Sequence, residues 1–78
     1  MNSLHLTPLG ANQTEVRYGD NYVLFSYQTP VAYRDKEGKE FYTARKYSNT
    51  TSKHISGWLR DKATATKVEQ SVIDSLVK

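Results

Sequence analysis

The spacing of apolar residues changes once along the chain, near Tyr47, and this change limits the fold more than any other feature. Before Tyr47, apolar and polar residues alternate, which predicts strands with one buried face. The segment 21–28 (NYVLFSYQ) carries apolar side chains on both faces, so we expect it to be a central strand. After Tyr47 the apolar residues recur at helical spacing.

The alternating region, residues 14–47, predicts an antiparallel sheet. Gly19-Asp20 is a two-residue hairpin signal, and Asp35–Gly38 is a charged turn whose glycine can adopt a positive φ. Thr29-Pro30 interrupts the alternation and predicts a bulge, a bend or an edge. Residues 1–13 predict an arm or a short strand, broken by Pro8 and Gly10.

Two helices are predicted after the sheet. The first spans residues 51–62, with Ser52 or a preceding Thr as N-cap, and its Gly57 is interpreted as a point of close packing against the sheet. The second spans residues 66–77, because Thr66–Glu69 has the spacing of a capping box. A single helix from Ser52 to Val77 is the alternative.

The predicted fold class is therefore α+β. A three- to four-stranded antiparallel meander is followed by two C-terminal helices packed on one face of the sheet, in two layers. The 78 residues predict one domain, 1–78, with a small core. We expect Tyr27, Tyr47 and Trp58 in that core.

The composition narrows the class of protein. The chain has no Cys, which excludes disulfides and thiolate metal sites. We find neither the pattern of a signal peptide nor an apolar run that spans a bilayer, so we expect a protein of the cytoplasm without a membrane partner. Formal charge is +3, and residues 34–62 hold eight cations and four acids, a net of +4. This local excess of cations, which we call the basic focus, is compatible with ordinary solvated side chains or with a nucleic-acid-binding surface.

A longer pattern adds a resemblance. Residues 25–33 (FSYQTPVAY), 41–43 (FYT) and 47–59 (YSNTTSKHISGWL) are similar to a family of small uncharacterised proteins from bacteriophages and other mobile elements. The similarity covers residues 14–60. The resemblance implies an origin, and hence the cytoplasm of a host bacterial cell, but it implies no activity.

The sequence offers little for catalysis. A nucleophile–base pair would have to combine His54 with Ser48, Ser52, Ser56 or a nearby Thr. Ser52 would not share a helix face with His54. No metal-ligand spacing and no phosphate loop occurs. We therefore expect a protein that is not an enzyme and takes no cofactor and no metal.

The start of the first helix is the first candidate contact site. Free backbone N–H groups there favour an anion or an acidic partner. Lys53 would supply a point charge, and hydroxyls would supply donors. The alternative is that the hydroxyls only cap the helix and His54 packs or bonds locally. The candidate residues are Thr50, Thr51, Ser52, Lys53 and His54.

One face of the sheet is the second candidate. A sheet that exposes Tyr and Arg can stack bases and hold phosphates, although Tyr also supplies core and strand propensity. The candidate residues are Tyr22, Tyr33, Arg34, Tyr42, Arg45 and Lys46.

Two functions are consistent with these features. The favoured hypothesis is a phage-type accessory protein that binds a host or phage protein or nucleoprotein and modulates it, for example as an inhibitor of a CRISPR-type defence. The alternative is direct nucleic-acid binding through the basic sheet face and the helix start. An uncovered sheet face is also compatible with a homodimer.

Overall fold

The computed structural model describes residues 4–10 and 12–77. As the spacing predicts, strands precede the first helix, but a further strand lies between the two helices. Within these residues the elements are β1 (Leu4–Gly10), β2 (Gln13–Tyr18), β3 (Asn21–Ser26), β4 (Thr29–Arg34), β5 (Glu40–Thr43), α1 (Asn49–Trp58), β6 (Thr66–Val68) and α2 (Gln70–Leu76). The strands form one sheet in the order β1-β2-β3-β4-β5-β6. The α+β class is confirmed.

The sheet is larger than predicted and is mixed rather than purely antiparallel. The first five strands pair antiparallel with their neighbours, and β6 pairs parallel with β5 through α1 as the crossover. The prediction of three to four antiparallel strands is therefore wrong. Residues 4–10 form a strand despite Pro8 because they lie at the edge of the sheet, where proline is tolerated. The pairing is irregular between Pro8 and Gly10.

Both predicted turns are confirmed. Gly19 adopts a φ of 59° in the β2–β3 hairpin, whose last paired residues are Tyr18 and Asn21. In the β4–β5 turn the Asp35 carboxylate accepts hydrogen bonds from the backbone N–H groups of Glu37 and Lys39, both at 2.9 Å. β3 lies inside the sheet, paired with β2 on one side and β4 on the other, as predicted.

The predicted interruption near Thr29-Pro30 is a bulge in β4. Leu24 pairs with Ala32 and Phe25 pairs with Pro30, which leaves Val31 as an extra residue. A bulge of this kind lets two successive side chains serve one face. Val31 and Ala32 accordingly join Leu24 in the core.

α1 covers the face of the sheet that carries Leu24. Its Ile55 and the following Leu59 complete the core cluster, and Trp58 packs half-buried against it. The helix begins at Asn49 with Ser48 as N-cap, so the prediction of Ser52 or a Thr as the cap is wrong. Gly57 is exposed, and a Cβ there would meet nothing within 4 Å. Its interpretation as a packing contact is wrong as well.

The second predicted helix is in part a strand. Thr66–Val68 pairs with β5 instead of capping a helix, and α2 begins only at Gln70, after Glu69, whose side chain makes no capping hydrogen bond. The single long helix is excluded, because a strand and a turn separate α1 from α2.

α2 lies against the opposite face of the sheet. That face buries Val16 and Val23, which are paired across β2 and β3. Val23 precedes Leu24 in β3, so their side chains point to opposite faces. Ile73 of α2 is completely buried, yet it is not part of the cluster beneath α1. α2 contacts β4 and β5, and the Gln70 side-chain amide donates to the Pro30 carbonyl at 2.8 Å. The prediction that both helices share one face is therefore wrong.

Two of the three aromatic residues expected in the core lie at the surface. Tyr27 is 53% exposed and Tyr47 is 39% exposed. Tyr27 lies in the β3–β4 turn rather than in the strand, and Tyr47 lies beyond the end of β5. Both were predicted in strands because Tyr favours strands, but β3 ends at Ser26, before Tyr27, and β5 ends at Thr43, before Tyr47.

Candidate functional site

The beginning of α1 is fixed by hydroxyl groups that point toward the protein. The Ser48 hydroxyl accepts a hydrogen bond from the Thr51 backbone N–H at 3.1 Å, which caps the helix. It also donates to Thr51 Oγ1 at 3.2 Å. Thr51 Oγ1 in turn lies 3.0 Å from the Ser26 hydroxyl at the end of β3. The first turn is thus tied to the sheet.

His54 joins the same buried network. Its Nδ1 lies 2.8 Å from the Ser26 hydroxyl, and its ring centroid lies 6.1 Å from that of Tyr27. A Ser–His contact of this length is what a nucleophile and a base would need. However, Ser26 is 2% exposed and His54 is 9% exposed, and among the described residues no carboxylate bonds to His54. The contact joins α1 to β3 rather than facing a substrate.

The five residues predicted at the helix start therefore do not share one exposed site. Thr51 and His54 are buried against Ser26. Thr50 and Lys53 are exposed, and Ser52 is half-buried on the side of the helix toward β5. Contacts with Ser26 account for the two buried members. Neither side chain caps the helix, because Ser48 does so, and the partner of His54 is distant in sequence rather than local.

The six predicted sheet residues are divided among three places. Tyr22, Arg34 and Tyr42 lie on the α1 face. Tyr33 lies on the other face, stacked on Phe41 at 4.5 Å, where burial raises its pKa and the charge of Asp35 raises it further. The remaining two, Arg45 and Lys46, follow the end of β5 and are exposed.

Arg34 is held inside the protein by its contacts with Glu40 and Trp58. Its guanidinium donates to Glu40 Oε2 through Nε at 2.9 Å and through Nη2 at 2.7 Å. It also lies over the Trp58 ring, 4.5 Å from the centroid. The Trp58 indole N–H donates to Glu15 at 2.8 Å. Arg34 is therefore a structural residue that joins β4, β5 and α1, and it is not free to meet a partner.

The buried Glu40 carboxylate accepts hydrogen bonds from backbone N–H groups as well as from Arg34. The backbone N–H of Arg60 donates to it at 2.9 Å, and that of Asp61 donates at 3.4 Å. Burial by itself raises the pKa of the carboxyl. The hydrogen bonds from Arg34 and from these N–H groups outweigh burial and hold the pKa below its usual value. Glu40 is thus ionised and fixes the chain as it leaves α1.

Four exposed cations line a cleft between α1 and the β5–β6 edge. Tyr42 on β5 is paired with Lys67 on β6, so their side chains lie next to each other on one face. The Lys62 ammonium lies 5.7 Å from the centroid of the Tyr42 ring. The cleft has a volume of about 130 Å³. We call it the basic cleft; its lining residues are Tyr42, Thr43, Ala44, Arg45, Lys46, Ser52, Ile55, Lys62 and Lys67.

The charge of the basic cleft is of one sign. Four of its lining residues are cations, namely Arg45, Lys46, Lys62 and Lys67, and none of the described residues that line it is acidic. All four are exposed. Cations that line one cleft, with no acid among them, repel one another, and a bound anion would relieve this repulsion. The cleft is therefore suited chemically to phosphate or carboxylate groups.

Sequence reasoning identified part of this site. Tyr42, Arg45, Lys46 and Ser52 were among the predicted residues, although they were assigned to two separate sites. Lys62 was counted only in the basic focus, and Lys67 was missed because Thr66–Glu69 resembled a capping box. The parallel pairing of β5 with β6 brings Lys67 to Tyr42, and no local pattern signals that pairing.

Comparison with known proteins identifies the family. A family model described as a family of unknown function, DUF8033, matches residues 4–75. The chain belongs to DUF8033. The DUF8033 match extends on both sides of the residues that carried the resemblance, and it includes β1 and nearly all of α2. No curated protein and no solved structure matches the chain.

The chain is thus a small α+β domain that belongs to a family of unknown function. The bacteriophage origin stays a prediction. In the part of the chain that the structure describes, neither helix has the length or apolar character needed to cross a membrane.

Proposed function

We propose that this chain is a non-catalytic domain that binds nucleic acid through the basic cleft. The observation that carries the proposal is that one cleft is lined by four cations, Arg45, Lys46, Lys62 and Lys67, together with Tyr42. Phosphate contacts from Lys and Arg supply most of the affinity of proteins for nucleic acid. An aromatic ring among such cations is typical of surfaces that follow a nucleic-acid backbone.

The distribution of charge supports the same proposal. The Lys36 and Lys39 side chains are also exposed, but they lie in a turn that carries Asp35 and Glu37. Arg34 is paired with Glu40. The cleft thus concentrates cations that the rest of the described surface balances with acids, and a local field of one sign attracts a polyanion.

Docking on a host or phage nucleoprotein, the hypothesis that the sequence favoured, stays a prediction. The basic cleft is compatible with it, because a nucleoprotein offers nucleic acid as well as protein. Inhibition of a host defence, the absence of catalysis and a homodimer stay predictions too.

Fluorescence anisotropy with labelled single-stranded and duplex oligonucleotides across a salt series tests the proposal. If all four cations contact phosphates, a plot of log affinity against log salt has a slope of about −3. The double variant Lys62→Ala, Lys67→Ala should weaken binding and make this slope shallower by about 1 to 2.

The matched control is Lys36→Ala, Lys39→Ala, which removes the same formal charge from the β4–β5 turn. The proposal requires the control to bind nearly as well as the native chain. Equal loss in the two double variants would mean that net charge, and not the basic cleft, determines binding. No binding to any oligonucleotide at low salt would overturn the proposal.

A further inference from the structure

Tyr27 is strained and exposed at the same time. It adopts a φ of 59° in the β3–β4 turn, a conformation that normally falls to Gly, Asn or Asp. The residue is 53% exposed, and the ring contact described for it is a tilted one with His54. Because the side chain is largely exposed, packing does little to compensate for the backbone strain. Such outliers cluster at functional sites.

Tyr47 is the second exposed ring at this end of the molecule. It is 39% exposed and immediately follows Lys46 of the basic cleft. The Arg45 guanidinium lies 5.5 Å from the centroid of its ring. The Tyr47 ring, which borders the basic cleft, is thus already in contact with a cation, Arg45.

A chain of hydrogen bonds places the two tyrosines around the first turn of α1. Tyr27 follows Ser26, whose hydroxyl contacts Thr51, and Thr51 contacts the hydroxyl of Ser48, the neighbour of Tyr47. Tyr27 lies toward His54, whereas the cleft is lined by Ser52. Residues two apart in a helix project from nearly opposite sides. Tyr27 and the basic cleft therefore flank the turn from its two sides.

We infer that Tyr27 and Tyr47 are stacking platforms for unpaired bases, and that the nucleic acid bound in the basic cleft is single-stranded. This inference rests on the proposed function. Bases of a duplex are stacked on one another and offer no free face, whereas every unpaired base has one. A single strand is also flexible enough to pass from the cleft, over Tyr47 and around the helix end, to Tyr27.

The test measures the affinity of the chain for a labelled single-stranded oligonucleotide and for a duplex of equal length. A length of about 15 nucleotides is chosen because it is near the upper end of the site sizes of small single-strand binders. The native full chain should bind the single strand more tightly. Tyr27→Asn removes one ring and retains a residue suited to positive φ, and Tyr47→Leu removes the other. Each should weaken single-strand binding by about 5-fold or more and leave duplex binding unchanged.

The ring-retaining controls, Tyr27→Phe and Tyr47→Phe, should bind the single strand as the native chain does. Equal affinity of the native chain for single strand and duplex, with no effect of ring removal, would overturn the inference and leave the proposed function standing. Absence of binding to either oligonucleotide would overturn both, and the surface would then fit a protein partner better.

A second measurement uses only the native chain and so does not depend on the folding of variants. An oligonucleotide carrying 5-iodouracil is irradiated with the protein, and crosslinked residues are mapped by mass spectrometry. Crosslinks at Tyr27 and Tyr47 support the inference. Crosslinks confined to other residues contradict it.

Discussion

The Ser26 hydroxyl and Nδ1 of His54 lie 2.8 Å apart, although the two residues are 28 positions apart in the chain. With Thr51 at 3.0 Å from the same hydroxyl, this contact fixes the first turns of α1 to the central strand. All three side chains are buried. The position of α1, and with it one wall of the basic cleft, depends on this small polar network.

Replacement of Ser26 by Ala should destabilise the protein. The change leaves Thr51 and His54 buried without their shared partner, and an unpaired buried polar group costs about 1–3 kcal/mol. Urea unfolding followed by circular dichroism measures the loss. Ser71→Ala, at an exposed position of α2, is the control, expected to change stability by only a few tenths of a kcal/mol. A Ser26→Ala variant as stable as native would contradict this role.

Glu40 should make stability depend on pH in the acid range. Its pKa is lowered in the folded protein, so the unfolded chain takes up the proton first as pH falls. The contribution of Glu40 is complete above the usual pKa near 4.5 and is lost as pH drops through the lower folded value. Acid therefore weakens the fold through this group, whereas alkali does not.

Glu40→Gln isolates this contribution. It should lower the free energy of unfolding at pH 7 by about 2–3 kcal/mol, because Arg34 loses its charged partner in a largely buried position. The difference from native should shrink as pH falls toward 3. Glu37→Gln, in the exposed turn, should show neither effect. A constant difference at all pH values would contradict the assignment.

Gly57→Ala should stabilise the protein by about 1 kcal/mol, since glycine inside a helix is less favourable than alanine by that amount. The new methyl group would meet nothing within 4 Å. Gly38→Ala is the opposite case, because Gly38 has a φ of 85°, and that change should destabilise. Thermal unfolding of the two variants gives the signs directly. Loss of stability in Gly57→Ala would mean that the helix needs this glycine.

Tyr27→Asn should also stabilise the isolated chain, by about 0.5–1 kcal/mol, because Asn tolerates the left-handed conformation better than Tyr does. Gln28→Asn is the neighbouring control. Its φ is not positive, so we expect no gain. Urea midpoints of both variants test the strain. A stabilised Tyr27→Asn that binds single strands less well would show that the strain serves binding.

Local signals predicted the local part of this fold. The hairpin at Gly19-Asp20, the turn at Asp35–Gly38 and the central position of β3 follow from alternation and turn chemistry, and all are confirmed. The strand Thr66–Val68 was missed because its pairing with β5 is parallel and crosses over α1. A three-residue strand that lies within a capping-box pattern carries no sequence signal for such a distant partner.

The candidate site was predicted in pieces for the same reason. Its cations come from the end of β5, from the segment after α1 and from β6. The sequence showed an excess of cations in residues 34–62, but it did not show which of them line the same cleft. Arg34 illustrates the limit, since nothing nearby in sequence indicates that Trp58 covers it. Ser26 was overlooked as the partner of His54 because sequence reasoning examined only nearby serines.

The most direct test of the account is to map a bound oligonucleotide by NMR. The ¹⁵N-labelled native chain is titrated with a short single strand at low salt, and shifts of backbone amides are recorded. We predict shifts at Arg45, Lys46, Ser52, Lys62 and Lys67, with Tyr27 and Tyr47 following. Shifts confined to the β4–β5 turn or to α2, or none at all, would contradict the central claim that the basic cleft binds nucleic acid.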